Sequence, residues 1–92
     1  MALLDLLGRR WSMRVLWEIN NAPCSFRDLQ GICGKISSSV LNTRLHELRE
    51  AGLVELSAHG YHLTPLGKEL MVLIAPLRKW SEKWRNELGT RT

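Results

Sequence analysis

A mainly α-helical (α+β) chain with one short β-hairpin is what this sequence predicts. Three observations carry that prediction. Apolar residues recur at three- and four-residue spacing through five stretches, each bounded by a cap, a glycine or a proline. The segment Val54 to Leu63 instead alternates with a period of two around a turn. The length, 92 residues, allows one domain spanning 1–92 and no more. A chain of this size buries roughly 60–65% of its unfolded surface, so its core is real but small.

The first helix is short: Leu3, Leu4, Leu6 and Leu7 are apolar and Gly8 ends it. Ser12 is expected to cap the second, in which Trp11, Val15, Leu16 and Ile19 form a stripe that Asn20, Asn21 and Pro23 stop. Ser25 and Asp28 have capping-box spacing and open the third helix, with Phe26, Leu29 and Ile32 expected inside and Gly31 and Gly34 ending it early. Ser37 caps the fourth, which runs to about Ala51 with Val40, Leu41, Leu45 and Leu48 inward and Gly52 closing it. Val54-Glu55-Leu56-Ser57 and Tyr61-His62-Leu63 flank a turn at Ala58-His59-Gly60. Thr64-Pro65 sets a cap before a proline in the first helical position. The last helix carries Leu66, Leu70, Leu73, Leu77, Trp80, Trp84 and Leu88, and Pro76 is expected to kink or split it.

Two helices joined by a tight Gly-containing turn, followed by a hairpin, describe a winged helix-turn-helix with a short wing and a long C-terminal helix. On these residues the chain resembles the HxlR-type winged-helix transcriptional regulators, relatives of the MarR group. Leu7-Gly8-Arg9-Arg10-Trp11-Ser12 is similar to that family's Gly-Lys-Trp-Thr start, and Val15-Leu16-Trp17-Glu18-Ile19 continues its second helix. Phe26-Arg27-Asp28-Leu29 resembles Phe-Ser-Glu-Leu. Ile36 through Leu41, Arg44-Leu45, Leu48 and Ala51-Gly52-Leu53-Val54 follow the recognition helix and its exit, and Tyr61 through Gly67 the return from the wing. The resemblance implies a DNA-binding homodimer joined through its terminal helices. Two family features do not carry over. Members commonly have a longer wing rich in Pro and Arg, whereas no Arg or Lys lies between Val54 and Tyr61. Redox-sensing members place a cysteine ahead of the first helix, where this sequence has none.

The fourth helix is the candidate reading element. Steps of 100° put Ser39, Asn42, Thr43, His46 and Glu50 opposite its apolar side, with Ser38 and Arg49 on the flanks. Ser37, Ser38 and Ser39 suit the end that enters a groove first, and the free N–H groups there favour a phosphate. Asn42 fits an adenine edge bidentately, and the Thr43 methyl fits thymine. Arg27, Lys35, Arg44 and Arg49 are placed for backbone phosphates. Arg44 has a rival role, pairing with Glu47 or covering core with its stem. The candidate DNA contacts are therefore Arg27, Lys35, Ser37, Ser38, Ser39, Asn42, Thr43, Arg44, His46 and Arg49. The candidate dimer seam is Leu3, Leu7, Leu73, Leu77, Trp80, Trp84 and Leu88, because the stripe outruns what one small core needs.

Composition removes other classes. A hydrophobic content of 45% excludes a disordered tail. The longest apolar stretch, Leu70 to Leu77, is too short for a bilayer. A net charge of +4 favours nucleic acid as partner. With two cysteines and no secretory signal, the expected compartment is the cytoplasm. His46, His59, His62, Cys24 and Cys33 lack metal-ligand spacing, and each cysteine reads as a small buried hydrophobe. No phosphate-cradling Gly loop, patterned Ser/His/Asp set or carboxylate pair stands out, so neither an enzyme nor a cofactor is expected. The resulting expectation is a homodimeric, sequence-specific regulator that binds double-stranded DNA. The alternatives are a winged-helix protein-interaction module and an effector-responsive sensor.

Overall fold

The computed structural model describes residues 2–90. Its elements are α1 (Ala2–Leu7), α2 (Ser12–Asn21), α3 (Phe26–Cys33), α4 (Ser38–Glu50), β1 (Val54–Ser57), β2 (Gly60–Leu63) and α5 (Pro65–Thr90). This is the winged helix-turn-helix order. Helix α2 is the hub, packed by α1, α3, α4, α5 and β2. Its Val15, Leu16 and Ile19 meet Leu29 of α3, Leu41, Leu45 and Leu48 of α4, and Val54 and Leu63 of the hairpin in one hydrophobic core.

Local signals explain most boundaries. Both bonds of the α3 capping box form: the Asp28 N–H donates to Ser25 Oγ at 3.0 Å, and the Ser25 N–H donates to Asp28 Oδ2 at 3.2 Å. Ser37 Oγ accepts from the Val40 N–H and starts α4. Thr64 Oγ1 accepts from the Gly67 N–H at 3.0 Å while donating to the Gly52 carbonyl at 2.6 Å, which pins the start of α5 to the end of α4.

Several expectations are corrected. Ser12 does not cap α2. The N-cap is Trp11, held at φ 78° without a side-chain cap bond, and Ser12 is buried in the first turn with its Oγ unpaired. Within α3 the inward residue near the end is Cys33, not Ile32, which is 47% exposed. Helix α5 runs through Pro76 unsplit. Its buried residues are Gly67, Met71 and Ile74 rather than the leucine stripe.

The hairpin register pairs Val54 with Leu63, Glu55 with His62, Leu56 with Tyr61 and Ser57 with Gly60, so the turn is shorter than expected and Gly60 already belongs to β2. The segment between α2 and α3 meets it at one bridge: Cys24 and Tyr61 exchange backbone hydrogen bonds at 3.0 and 2.7 Å. That close approach and a φ of 105° require glycine at position 60, where a Cβ would sit 2.7 Å from the Cys24 carbonyl oxygen.

Cys24 and Cys33 are free thiols inside the core. Burial is the main cause pushing both above the ordinary thiol value. Asp28 and Glu18 add to the rise at Cys24, whereas Arg14 partly offsets it at Cys33. Little thiolate then exists at neutral pH, and thiolate is the reactive form. Both cysteines should therefore react with a disulfide reagent far more slowly in the folded protein than in denaturant. Equal rates measured by thionitrobenzoate release would contradict the burial.

Candidate nucleic-acid interface

The candidate interface begins at the turn between α3 and α4. Gly34, at φ 73°, ends α3, and Ile36 is buried beneath the turn. Gln30 Nε2 donates to Ser38 Oγ at 2.9 Å and ties the outer face of α3 to the first turn of α4. Arg27 lies one turn before Gln30 on that face of α3 and is exposed, as is Lys35 in the turn.

Helix α4 shows the expected polar face. Ser37 is occupied by capping, and its Oγ lies 3.4 Å from Ser39 Oγ. Thr43 Oγ1 donates to the Ser39 carbonyl at 2.9 Å, which satisfies its hydroxyl hydrogen within the helix. Asn42 is exposed, with no side-chain partner among the described residues. His46 sits 3.4 Å from Glu50 one turn on.

The cations divide into two groups. Arg27, Lys35 and Arg49 are exposed and make no ion pair among the described residues. Arg44 is only 18% exposed and takes the structural role that was its rival reading. Its Nε donates to the Arg10 carbonyl at 3.0 Å, and its Nη1 pairs with Glu47. Glu47 also binds Arg9, so the α1–α2 junction is clamped to the back of α4. The spacing of Arg44 and Glu47 signals the first pair. Nothing local signals Arg9, 38 residues from Glu47. Gln30 was likewise missed, because its partner Ser38 lies across the turn.

The wing contributes little positive charge. Between α4 and β1 lies a groove bordered by His46, Arg49, Glu50, Glu55 and His62. His62 Nε2 pairs with Glu55 Oε2 at 3.2 Å across the strands. The strand side of this groove adds the Glu55 carboxylate and no Lys or Arg, so the cation here is Arg49 of α4 alone.

Among the expected seam residues, Leu73 (74%), Leu77, Trp80, Trp84 and Leu88 are exposed on α5, and Leu3 is exposed on α1. Leu7 instead packs partly against the chain's own core. The Trp80 and Trp84 rings stack with centroids 6.4 Å apart and planes 12° from parallel.

The family model described as HxlR-like helix-turn-helix matches residues 6–88. The chain belongs to the HxlR-like family. An HTH-type transcriptional regulator of Methanocaldococcus jannaschii is 31% identical over 91 residues, covering 92% of this chain and 84% of the relative. The regulator YvaP of Bacillus subtilis is 27% identical over 88 residues, covering 88% and 82%. Among solved structures, quinone-bound YodB of B. subtilis superposes with a TM-score of 0.83 at 27% identity, covering 89% of this chain and 93% of that one. An HxlR family factor of Thermoplasma volcanium gives 0.80 at 28% identity, covering 91% and 82%. The chain is thus a transcriptional regulator of the helix-turn-helix type, as these relatives are. Among the described residues, no helix is long and apolar enough to cross a membrane.

Proposed function

We propose that this HxlR-like chain regulates transcription by binding duplex DNA as a homodimer, with α4 in the major groove. That partner also implies a cytoplasmic site of action. The observation that carries the reading is the division of labour around α4. Asn42 stands exposed and without a side-chain partner near the leading end, and Arg27 on α3, Lys35 in the turn and Arg49 in the last turn of α4 are exposed with no ion pair among the described residues. Ser38, Ser39, Thr43 and His46 share the outer surface with Asn42. Ser37 acts through its cap, which takes the Val40 N–H and leaves those of Ser38 and Ser39 without an intrahelical acceptor. Arg44 is left out of the contact set because Glu47 and the Arg10 carbonyl hold it.

Roles follow from position. Asn42 is assigned to base edges, where a bidentate contact discriminates by about 1–3 kcal/mol. Lys35 is assigned to a phosphate. Asn42→Ala should therefore weaken binding to a selected operator much more than binding to random DNA. Lys35→Ala should weaken both about equally. Affinity for cognate and scrambled duplexes at one fixed salt concentration tests this. A wing-centred interface gives the opposite pattern: Asn42→Ala lowers both affinities equally and His59→Ala removes the sequence preference.

The homodimer rests on the second half of α5. A 26-residue helix is roughly 39 Å long. Beyond Ile74 none of its described side chains is buried, yet four large apolar ones, Leu77, Trp80, Trp84 and Leu88, share one side. A second copy supplies the matching surface, because a two-fold contact lays a stripe against itself.

A further inference from the structure

A groove of about 630 Å³ runs between α2 and α5, with no residue of α4 in its lining. That volume lies within the roughly 300–1,000 Å³ of small-molecule sites. Its walls are apolar: Met13 and Trp17 from α2, Ile74 and Leu77 from α5. The charged groups on its rim are Arg14, Glu18 and Arg78.

The two guanidinium groups differ. Arg14 is engaged, donating to the Ile32 carbonyl at 3.2 Å and lying 3.6 Å from Glu18. That pair also answers the only carboxylate of the lining. Arg78 lies with its Cζ 4.0 Å from the Trp17 ring centroid. Its side chain makes no hydrogen bond or ion pair among the described residues. The contact holds the guanidinium over the indole while its N–H groups keep no protein partner among the described residues, and such a fork suits a carboxylate held bidentately. The groove thus joins a flat aromatic wall, an aliphatic wall and one uncompensated positive charge.

We propose that this groove binds a planar aromatic monocarboxylate. The carboxylate sits on the Arg78 N–H edge, and the ring lies against Trp17, Met13 and Leu77. The inference goes beyond the DNA-binding reading and does not depend on it. A second copy is not the expected occupant. Helical steps put the stripe of Leu73, Trp80 and Trp84 about a third of a turn away from Ile74 and Arg78, with Leu77 on the shared edge.

The probe is 1-naphthoate, titrated into the full chain while the tryptophan indole N–H signals are followed by NMR. Trp17→Phe identifies the Trp17 signal. The Trp17 signal should move saturably while those of Trp80 and Trp84 stay in place. The neutral analogue 1-naphthalenemethanol should bind about tenfold more weakly, since a charge-assisted contact is lost. Arg78→Gln should weaken naphthoate by a similar factor, and Lys79→Gln should leave it unchanged. The proposal is overturned if the Trp17 signal does not saturate, if acid and alcohol bind equally, or if Arg78→Gln has no effect. It is also overturned if binding appears only on dilution to monomer, which would mean that a second copy fills the groove.

Discussion

Gly67→Ala should destabilise the fold by about 3 kcal/mol, near the upper end of what overpacking costs. Gly67 is buried in the first turn of α5, where a Cβ would lie 2.2 Å from the Leu53 carbonyl oxygen and 3.3 Å from Leu63 Cβ. The Leu53 carbonyl cannot simply give way, because it accepts the Thr64 N–H at 3.1 Å. Thr64 in turn holds Gly52 and the α5 cap. An alanine in a helix would normally gain up to ~1 kcal/mol over glycine, so the sign of the result separates clash from propensity. For a domain this small, each kcal/mol moves the melting temperature by about 4–8 °C, and the variant should melt at least ~10 °C lower. Gly31→Ala is the contrast: nothing lies within 4 Å of its Cβ, so that variant should melt no lower than the parent. Thermal unfolding of the two variants side by side checks the packing of α5 on the hairpin. A neutral Gly67→Ala would contradict it.

Trp80→Ala combined with Trp84→Ala should raise the dimer dissociation constant by roughly a hundredfold or more. Tryptophans at the centre of an interface cost about 2 kcal/mol or more each on truncation, and each 1.4 kcal/mol is about tenfold. The two rings stack on one another and are 57% and 51% exposed in the single chain. Their loss therefore leaves the monomer core intact, and circular dichroism should change little. Sedimentation equilibrium is the deciding measurement. A parent chain that sediments as a monomer at micromolar concentration removes the dimer from the account.

The sequence made the local features of this fold legible. The Ser25/Asp28 box, the Ser37 cap and Thr64-Pro65 each lie within three residues of their partners, and all three form. Long-range choices were not legible. Helix α5 is apolar on two faces, and periodicity alone favoured the richer leucine stripe. The core instead took Met71 and Ile74, because the close approach at Gly67 turns that side toward the hairpin. Ile32 and Cys33 are adjacent apolar residues, and only the position of α2 decides which is buried. Trp11 replaces Ser12 as the cap because the backbone turns left-handed there, which residue type gives no reason to expect. At the candidate interface, the polar face of α4 followed from helical steps alone. The fate of Arg44 followed from Arg10 and Glu47, and the Arg78–Trp17 stack brings together residues 61 positions apart in the chain.

The central claim is that unpaired cations around α4 neutralise DNA phosphates, and the salt dependence of binding tests it most directly. Anisotropy titrations of a labelled duplex at several salt concentrations give the slope of log K against log salt. Each phosphate neutralised contributes roughly −0.9. Arg27, Lys35 and Arg49 on each of two protomers predict a slope of roughly −5. Lys35→Ala should flatten it by about two, one unit for each protomer. Arg44→Gln should leave it unchanged, because that guanidinium is already paired inside the fold. A flat salt response, or no binding at low salt, would contradict the account.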